Sequence, residues 1–221
     1  MISSLNFPTK RHKNFVLFLY EYCCDNNIGL ALKGSIAKGN AKPFSDIDFV
    51  IWGNVSDSNF DEIIGGFEIP LNTFLTENPK GIFMVVYEKG LCIDFDIRST
   101  FSVNEVTSMF VVNKIELPIS SEPTRKLLNT PFLKFSTQDT QKLRLLYRSV
   151  IKFLNNKVVE ALELLNEFYG SDVLKNDQAN NYPNQIRKAF KESISKNHLD
   201  SKTIEDVNWL MARIDEKSIY I

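Results

Sequence analysis

The chain has 221 residues, 43 % of them apolar and 24 % charged, with 26 Lys and Arg against 27 Asp and Glu for a formal charge of −1. This is the composition of an ordinary globular protein with a packed core, and it excludes disordered, collagen-like and coiled-coil chains. The near-neutral balance also excludes a chain held to nucleic acid by bulk electrostatics. The length accommodates two compact domains.

Taken in order, residues from Thr9 to Asn26 carry apolar positions at helical spacing (Phe15, Phe18, Leu19, Tyr22), and the Asp25-Asn26-Asn27 cluster ends that helix. Basic residues Lys10 to Lys13 followed by an apolar run look like the start of a signal peptide. Glu21 interrupts the run and no small-residue cleavage site follows, so an amphipathic first helix is the better reading. Ile28 to Leu32 reads as a buried strand entering a Gly34-Ser35 turn. A second strand, Asp46 to Trp52, alternates Ile47, Phe49 and Ile51 with Asp46 and Asp48. Ile82 to Glu88 and Leu91 to Ile97 flank Lys89-Gly90 as an antiparallel hairpin, and the second arm alternates Ile93, Phe95 and Ile97 with Asp94 and Asp96. The stretch with Pro118, Pro123 and Pro131 takes no firm assignment. From Thr137 onward the period is helical: Gln138 to Tyr169 with a break near Asn155-Asn156, then Pro183 to Lys196 and Ser201 to Asp215. The expected organisation is an α+β domain over residues 1–135, a short mixed β-sheet with flanking helices, followed by an all-helical domain over 136–221.

Cys23, Cys24 and Cys92 form no disulfide framework or zinc spacing, and no apolar stretch approaches the ~20 residues that span a bilayer, so a reducing, cytoplasmic setting without membrane contact is expected. His12 and His198 read as surface residues. Trp52 and Trp209 read as core or domain-interface aromatics.

The chemistry lies in the aspartates. Each pair stands at i and i+2 on a strand whose other face must be buried, so successive carboxylates lie ~7 Å apart on one face and the two pairs can converge. Clustered carboxylates repel by roughly 2 kcal/mol per pair at that distance unless cations neutralise them. An all-oxygen set favours Mg²⁺ or Mn²⁺, ions that usually complete their shells with water and substrate phosphates. Just upstream, Gly34 permits close backbone approach to a ligand, and the N–H groups and Ser35 hydroxyl at a helix start can receive anionic oxygens. The segment lacks the Gly-Lys-Ser/Thr ending of a Walker loop and the glycine spacing of a dinucleotide-binding turn.

Gly34-Ser35, then Ser45-Asp46-Ile47-Asp48-Phe49-Val50, then Ile93-Asp94-Phe95-Asp96-Ile97 resemble the nucleotidyltransferase superfamily. That superfamily includes DNA polymerase β, the aminoglycoside and lincosamide nucleotidyltransferases, and minimal members found beside small helical toxin partners. The resemblance covers about a third of the chain. It implies a nucleoside triphosphate donor, most simply ATP, whose α-phosphorus is attacked by a hydroxyl of a small molecule or protein, with two divalent metals and pyrophosphate release. By motif position Asp46 and Asp48 hold the metals, and Gly34, Ser35, Lys38 and Ser45 line the nucleotide. Lys38 stands where many small members carry arginine, keeping the charge and losing the bidentate fork. Alternation alone does not choose between Asp94 and Asp96 as the third carboxylate; the likeness of Asp96-Ile97-Arg98 to the third motif of polymerase-type members favours Asp96.

Arg144, Arg148 and Lys152 recur every four residues opposite a stripe of Leu143, Leu146, Val150 and Leu154. Such a face is ordinarily solvated, but in related enzymes the helical domain closes over the triphosphate, which makes Arg144 and Arg148 candidates for polyphosphate or acceptor contact. From Ser136 to Ile221 there are 13 basic and 12 acidic residues, which speaks against tracking an extended nucleic acid. The alternative is an antitoxin-like or regulatory module of the same fold, paired with a helical toxin-like protein and weak or silent in transfer; the complete set of mutually repelling acids speaks against it. Oligomeric state, acceptor and base preference stay open.

Overall fold

A computed structural model describes residues 2–77, 79–133, 138–170, 181–197 and 199–218, so His198 and the last three residues lie outside the description. The chain divides into two compact units, Met1–Tyr87 with Cys92–Leu133 and Glu88–Leu91 with Lys134–Ile221.

The first unit is built on a mixed six-stranded sheet with flanking helices. Helix α1 (Lys10–Asp25) starts at Thr9, whose hydroxyl accepts the His12 N–H, and β1 (Ile28–Lys33) follows. One helical turn, α2 (Gly34–Ala37), leads towards β2 (Ile47–Gly53), α3 (Asp57–Phe67), β3 (Asn72–Glu77), β4 (Lys80–Tyr87) and β5 (Leu91–Arg98). Short α4 (Val103–Thr107) and β6 (Phe110–Asn113) complete it. The strand order is β3-β4-β5-β2-β1-β6, with β1 antiparallel to β2 and β6, and β2 parallel to β5. β4 and β5 are sheet neighbours joined by three residues, too short for a crossover, so they form the expected antiparallel hairpin.

Alternation decides what each face of the sheet holds. Ile47, Phe49 and Ile51 are buried, and Phe49 meets Phe15 of α1 with ring centroids 6.0 Å apart while Phe60 of α3 packs 5.6 Å from Phe95. The other face carries Asp48 and Asp94, then a hydrophobic patch in which Ala31, Val50, Trp52 and Phe101 pack together with Val106, Met109 and Ile115. Trp52 is wholly buried, its indole N–H donates to the Glu116 carbonyl at 3.1 Å, and it lies across Gly29, where a Cβ would meet the ring at 2.1 Å. Glycine at 29 is therefore a packing requirement.

Four elements are not announced by periodicity: α3, β3, α4 and β6. Helix α3 contains Gly65-Gly66, a pair unfavourable to helices, yet a Cβ at these positions would stand 3.1 Å from Phe132 and 2.9 Å from Phe18. Tertiary packing here outweighs propensity. The capping boxes at Ser56/Asn59 and Ser102/Glu105 are the local signals that start α3 and α4.

The second unit is helical: α5 (Gln138–Leu154), α6 (Val158–Tyr169), α7 (Tyr182–Asn197) and α8 (Ser201–Ser218). The long predicted helix breaks at Asn155–Lys157, where Asn156 takes a left-handed φ of 66°. Trp209 on α8 is half-buried beneath the Arg213 guanidinium, 5.0 Å from the ring centroid. The core of this unit is pinned by a buried relay: Tyr182 O–H donates to Ser149 Oγ at 2.8 Å, and Ser149 donates to the Ala161 carbonyl at 2.8 Å. Ser149→Ala leaves the buried phenol without its acceptor and will cost roughly 2 kcal/mol in urea denaturation. Adding Tyr182→Phe will not lower stability further.

Candidate metal and nucleotide site

The end of β1 and the start of β2 bring the sequence motifs together. Lys33 pairs in register with Asp48 across β1 and β2, and Asp48 pairs with Asp94 across the parallel β2 and β5. Residues in register share a face. Asp46 enters just before β2, and Asp46, Asp48 and Asp94 each offer a carboxylate oxygen within 4.8 Å of the others, all three residues half-buried. At that separation two ionised carboxylates repel by roughly 3–4 kcal/mol at an effective dielectric near 20.

Gly34, at φ +65°, closes this cluster. A Cβ there would lie 1.8 Å from Asp48 Oδ2 and 2.8 Å from its Cγ, so only glycine lets the main chain run against that carboxylate. Ser35 follows with a buried Oγ that has no hydrogen-bond partner among the described residues. An orphaned donor one residue after Gly34 fits an anionic ligand, and the oxygen-only ligand set fits Mg²⁺ or Mn²⁺. Lys38 is exposed at the end of α2. The buried Ser45 hydroxyl accepts the Lys42 N–H at 2.8 Å, and its own N–H returns to the Lys42 carbonyl at 2.8 Å, so this side chain shapes the turn into Asp46.

Asp96 is placed differently from Asp94. It stands opposite Val50, 7 % exposed, and its carboxylate is held by cations: Arg125 Nε donates to Oδ1 at 2.7 Å, Arg98 lies at 3.6 Å and Lys33 at 3.8 Å. The expectation centred the third carboxylate on Asp96; the residue gathered with Asp46 and Asp48 is Asp94. Arg144 and Arg148 belong to α5 in the helical unit. The solvated face expected there is not found: Arg144 is 6 % exposed and donates from Nε to Gln141 at 2.9 Å, Arg148 is half-buried, and Lys152 pairs with Glu160 at 3.2 Å.

His12 is not a surface residue. It is 3 % exposed, and Nε2–H donates to the Ser45 carbonyl at 2.9 Å while Nδ1 lies 2.7 Å from the Thr9 hydroxyl, an arrangement that suits the neutral ring. The signal was present: His12 precedes Phe15, Val16 and Leu19 at helical spacing on the buried stripe. Burial lowers its pKa below the ordinary 6.5, an effect the Ser45 hydrogen bond only partly opposes. The unfolded chain therefore takes up a proton near pH 6.5 that the folded one resists, and stability falls as pH drops through and below that value. Thermal melts between pH 7.5 and 5.5 will show this loss, and a His12→Asn variant will show less of it.

Residues 10–116 match the family model described as a nucleotidyltransferase domain. No curated protein shows significant similarity to the chain. Among solved structures it is similar to one described as the complex structure of CCA-adding enzyme with ATP, at 14 % identity and a TM-score of 0.30, covering 84 % of this chain and 52 % of that one. The chain thus spans about half the length of that structure's chain. Among the described residues no helix is long and apolar enough to cross a membrane. The chain carries, over residues 10–116, a domain of the nucleotidyltransferase superfamily.

Proposed function

We propose that this protein transfers a nucleoside monophosphate, AMP from ATP in the simplest case, to a hydroxyl of a small molecule or protein. The observation that carries the reading is the convergence of Asp46, Asp48 and Asp94 on a common point beside Gly34. These three carboxylates would hold the divalent ions, with Asp94 as the third ligand. Held by these residues, divalent ions would supply positive charge to offset that of the triphosphate and to make an acceptor oxygen a better nucleophile. Gly34 keeps the main chain close enough for phosphate oxygens to reach it, and the unpartnered Ser35 hydroxyl donates to one of them. The acceptor oxygen forms a bond to the α-phosphorus, the bond to the bridging oxygen breaks, and pyrophosphate leaves with that electron pair. Asp94 takes the acceptor's hydroxyl proton. Incubation with [α-³²P]ATP, Mg²⁺ and a panel of hydroxyl acceptors tests the reading. Label transfer that disappears in Asp46→Ala/Asp48→Ala supports it; transfer that persists in that variant overturns it.

A further inference from the structure

Next to the acidic cluster, on the same sheet face, lies a charged group of opposite character. Asp96 is one pleat repeat beyond Asp94 along β5, ~7 Å on. Three cations meet it: Arg125 through Nε at 2.7 Å and Nη2 at 3.4 Å, Arg98 at 3.6 Å, and Lys33, which reaches from β1 past β2 to lie 3.8 Å away. Glu105 pairs with Arg98. The group thus holds three positive and two negative charges.

Several donors in it are unspent. A guanidinium has five N–H groups. Arg125 uses two on Asp96 and one on the Lys80 carbonyl at 3.3 Å, which leaves two. Lys33 has a single, long ion pair among the described residues. Arg98, 3 % exposed, has a buried Nε–H with no hydrogen-bond partner. Arg98 is sealed in, but the Arg125 and Lys33 side chains are 27 % and 29 % exposed and can meet a ligand.

Strand order sets the direction from which that ligand comes. Gly34 and Ser35 lie at the β1 end, Asp48 on β2, Asp94 and Asp96 on β5, and Arg125 touches β4 beyond. In-line displacement puts entering and leaving oxygens on opposite sides of phosphorus. If the leaving phosphates sit at Gly34 and Ser35, the acceptor arrives from the β5 side.

We propose that Arg125 and Lys33, held in place by Asp96, form an anion-binding wall for the acceptor, so that the reacting hydroxyl belongs to a molecule bearing a phosphate or carboxylate near it. This inference rests on the transfer reading above. Asp96 is a positioning residue in it: its carboxylate orients the Arg125 fork and draws Lys33 across β2.

Inorganic phosphate is the probe. It is titrated into the full chain with Mg²⁺ and a saturating non-transferable ATP analogue present, followed by calorimetry, while Mn²⁺ binding is followed separately by electron paramagnetic resonance. Expected results are phosphate binding by the wild type, at least tenfold weaker binding in Arg125→Gln, and the same loss in Arg125→Gln/Asp96→Asn, which removes both charges of the pair together and guards against a folding failure of the single variant. Asp96→Asn will weaken phosphate severalfold with Mn²⁺ affinity held within twofold, and Asp96→Glu will restore part of the loss. Phosphate binding that is absent from the wild type, unchanged in Arg125→Gln or abolished by the ATP analogue overturns the acceptor wall. Loss of Mn²⁺ binding in Asp96→Asn overturns the positioning role. A wild type that binds phosphate but no Mn²⁺ overturns the transfer reading and the acceptor assignment with it; one that binds Mn²⁺ but no phosphate overturns the acceptor assignment alone.

Discussion

Asn in place of Asp48 will give a folded protein in which nucleotidyl transfer is reduced on the order of 10³-fold or more, because in the proposed reaction several kcal/mol of charge stabilisation would rest on this carboxylate. Its position explains the size of the effect. Asp48 is in register with both Lys33 and Asp94, and its oxygen is one of the three within 4.8 Å. The amide keeps the shape beside Gly34 but replaces one acceptor oxygen with an N–H donor and removes a charge from the crowded set. Without divalent ions, therefore, the variant will melt no lower than the wild type, because one of three mutually repelling groups has been neutralised. Added Mg²⁺ will raise the melting temperature of the wild type and leave that of the variant nearly unmoved, as binding to the native state alone requires. A variant that melts several degrees lower in the absence of metal would show that Asp48 serves the fold rather than a cation.

Gly34→Ala will have the second largest effect, and by a different route. The residue sits at φ +65°, where an L side chain costs about 1–2 kcal/mol, and its new methyl would begin 1.8 Å from Asp48 Oδ2. Backbone on both sides belongs to β1 and the turn of α2, so the carboxylate is the group that gives way. Mn²⁺ affinity should fall at least tenfold and transfer roughly 10²-fold, the scale on which a displacement of about 1 Å acts at a reacting centre. Gly39, also at positive φ, has open space where its Cβ would go. Gly39→Ala supplies the control: similar backbone strain, with metal affinity retained. Equal losses in the two variants would assign the Gly34 effect to strain alone.

Much of the first unit is legible in the chain because its strands announce two things at once. In β2 and β5, apolar residues at every second position demand a core, and the acids between them are thereby forced onto one opposite face. Helices α5, α7 and α8 show their period with equal clarity, and the break after Leu154 is marked by two asparagines. The parts that escape are those where the signal is tertiary. Gly65 and Gly66 argue against a helix until Phe18 and Phe132 are seen packed onto them. Arg144 looks like one tooth of a solvated basic comb until its helix is buried on most sides.

What the amino-acid order fixed without help is the inventory and the facing: Asp48, Asp94 and Asp96 on strands with Asp46 at the entry to the first of them, Gly34-Ser35 at the turn before, and a helical remainder. Alternation assigns a side chain to a face and is silent about its neighbours across the sheet, since that depends on the register of strands 40 or more residues apart. Only the folded sheet therefore decided that Asp94 joins the first two acids while Asp96, one repeat further, is claimed by Lys33 and by an arginine arriving from residue 125.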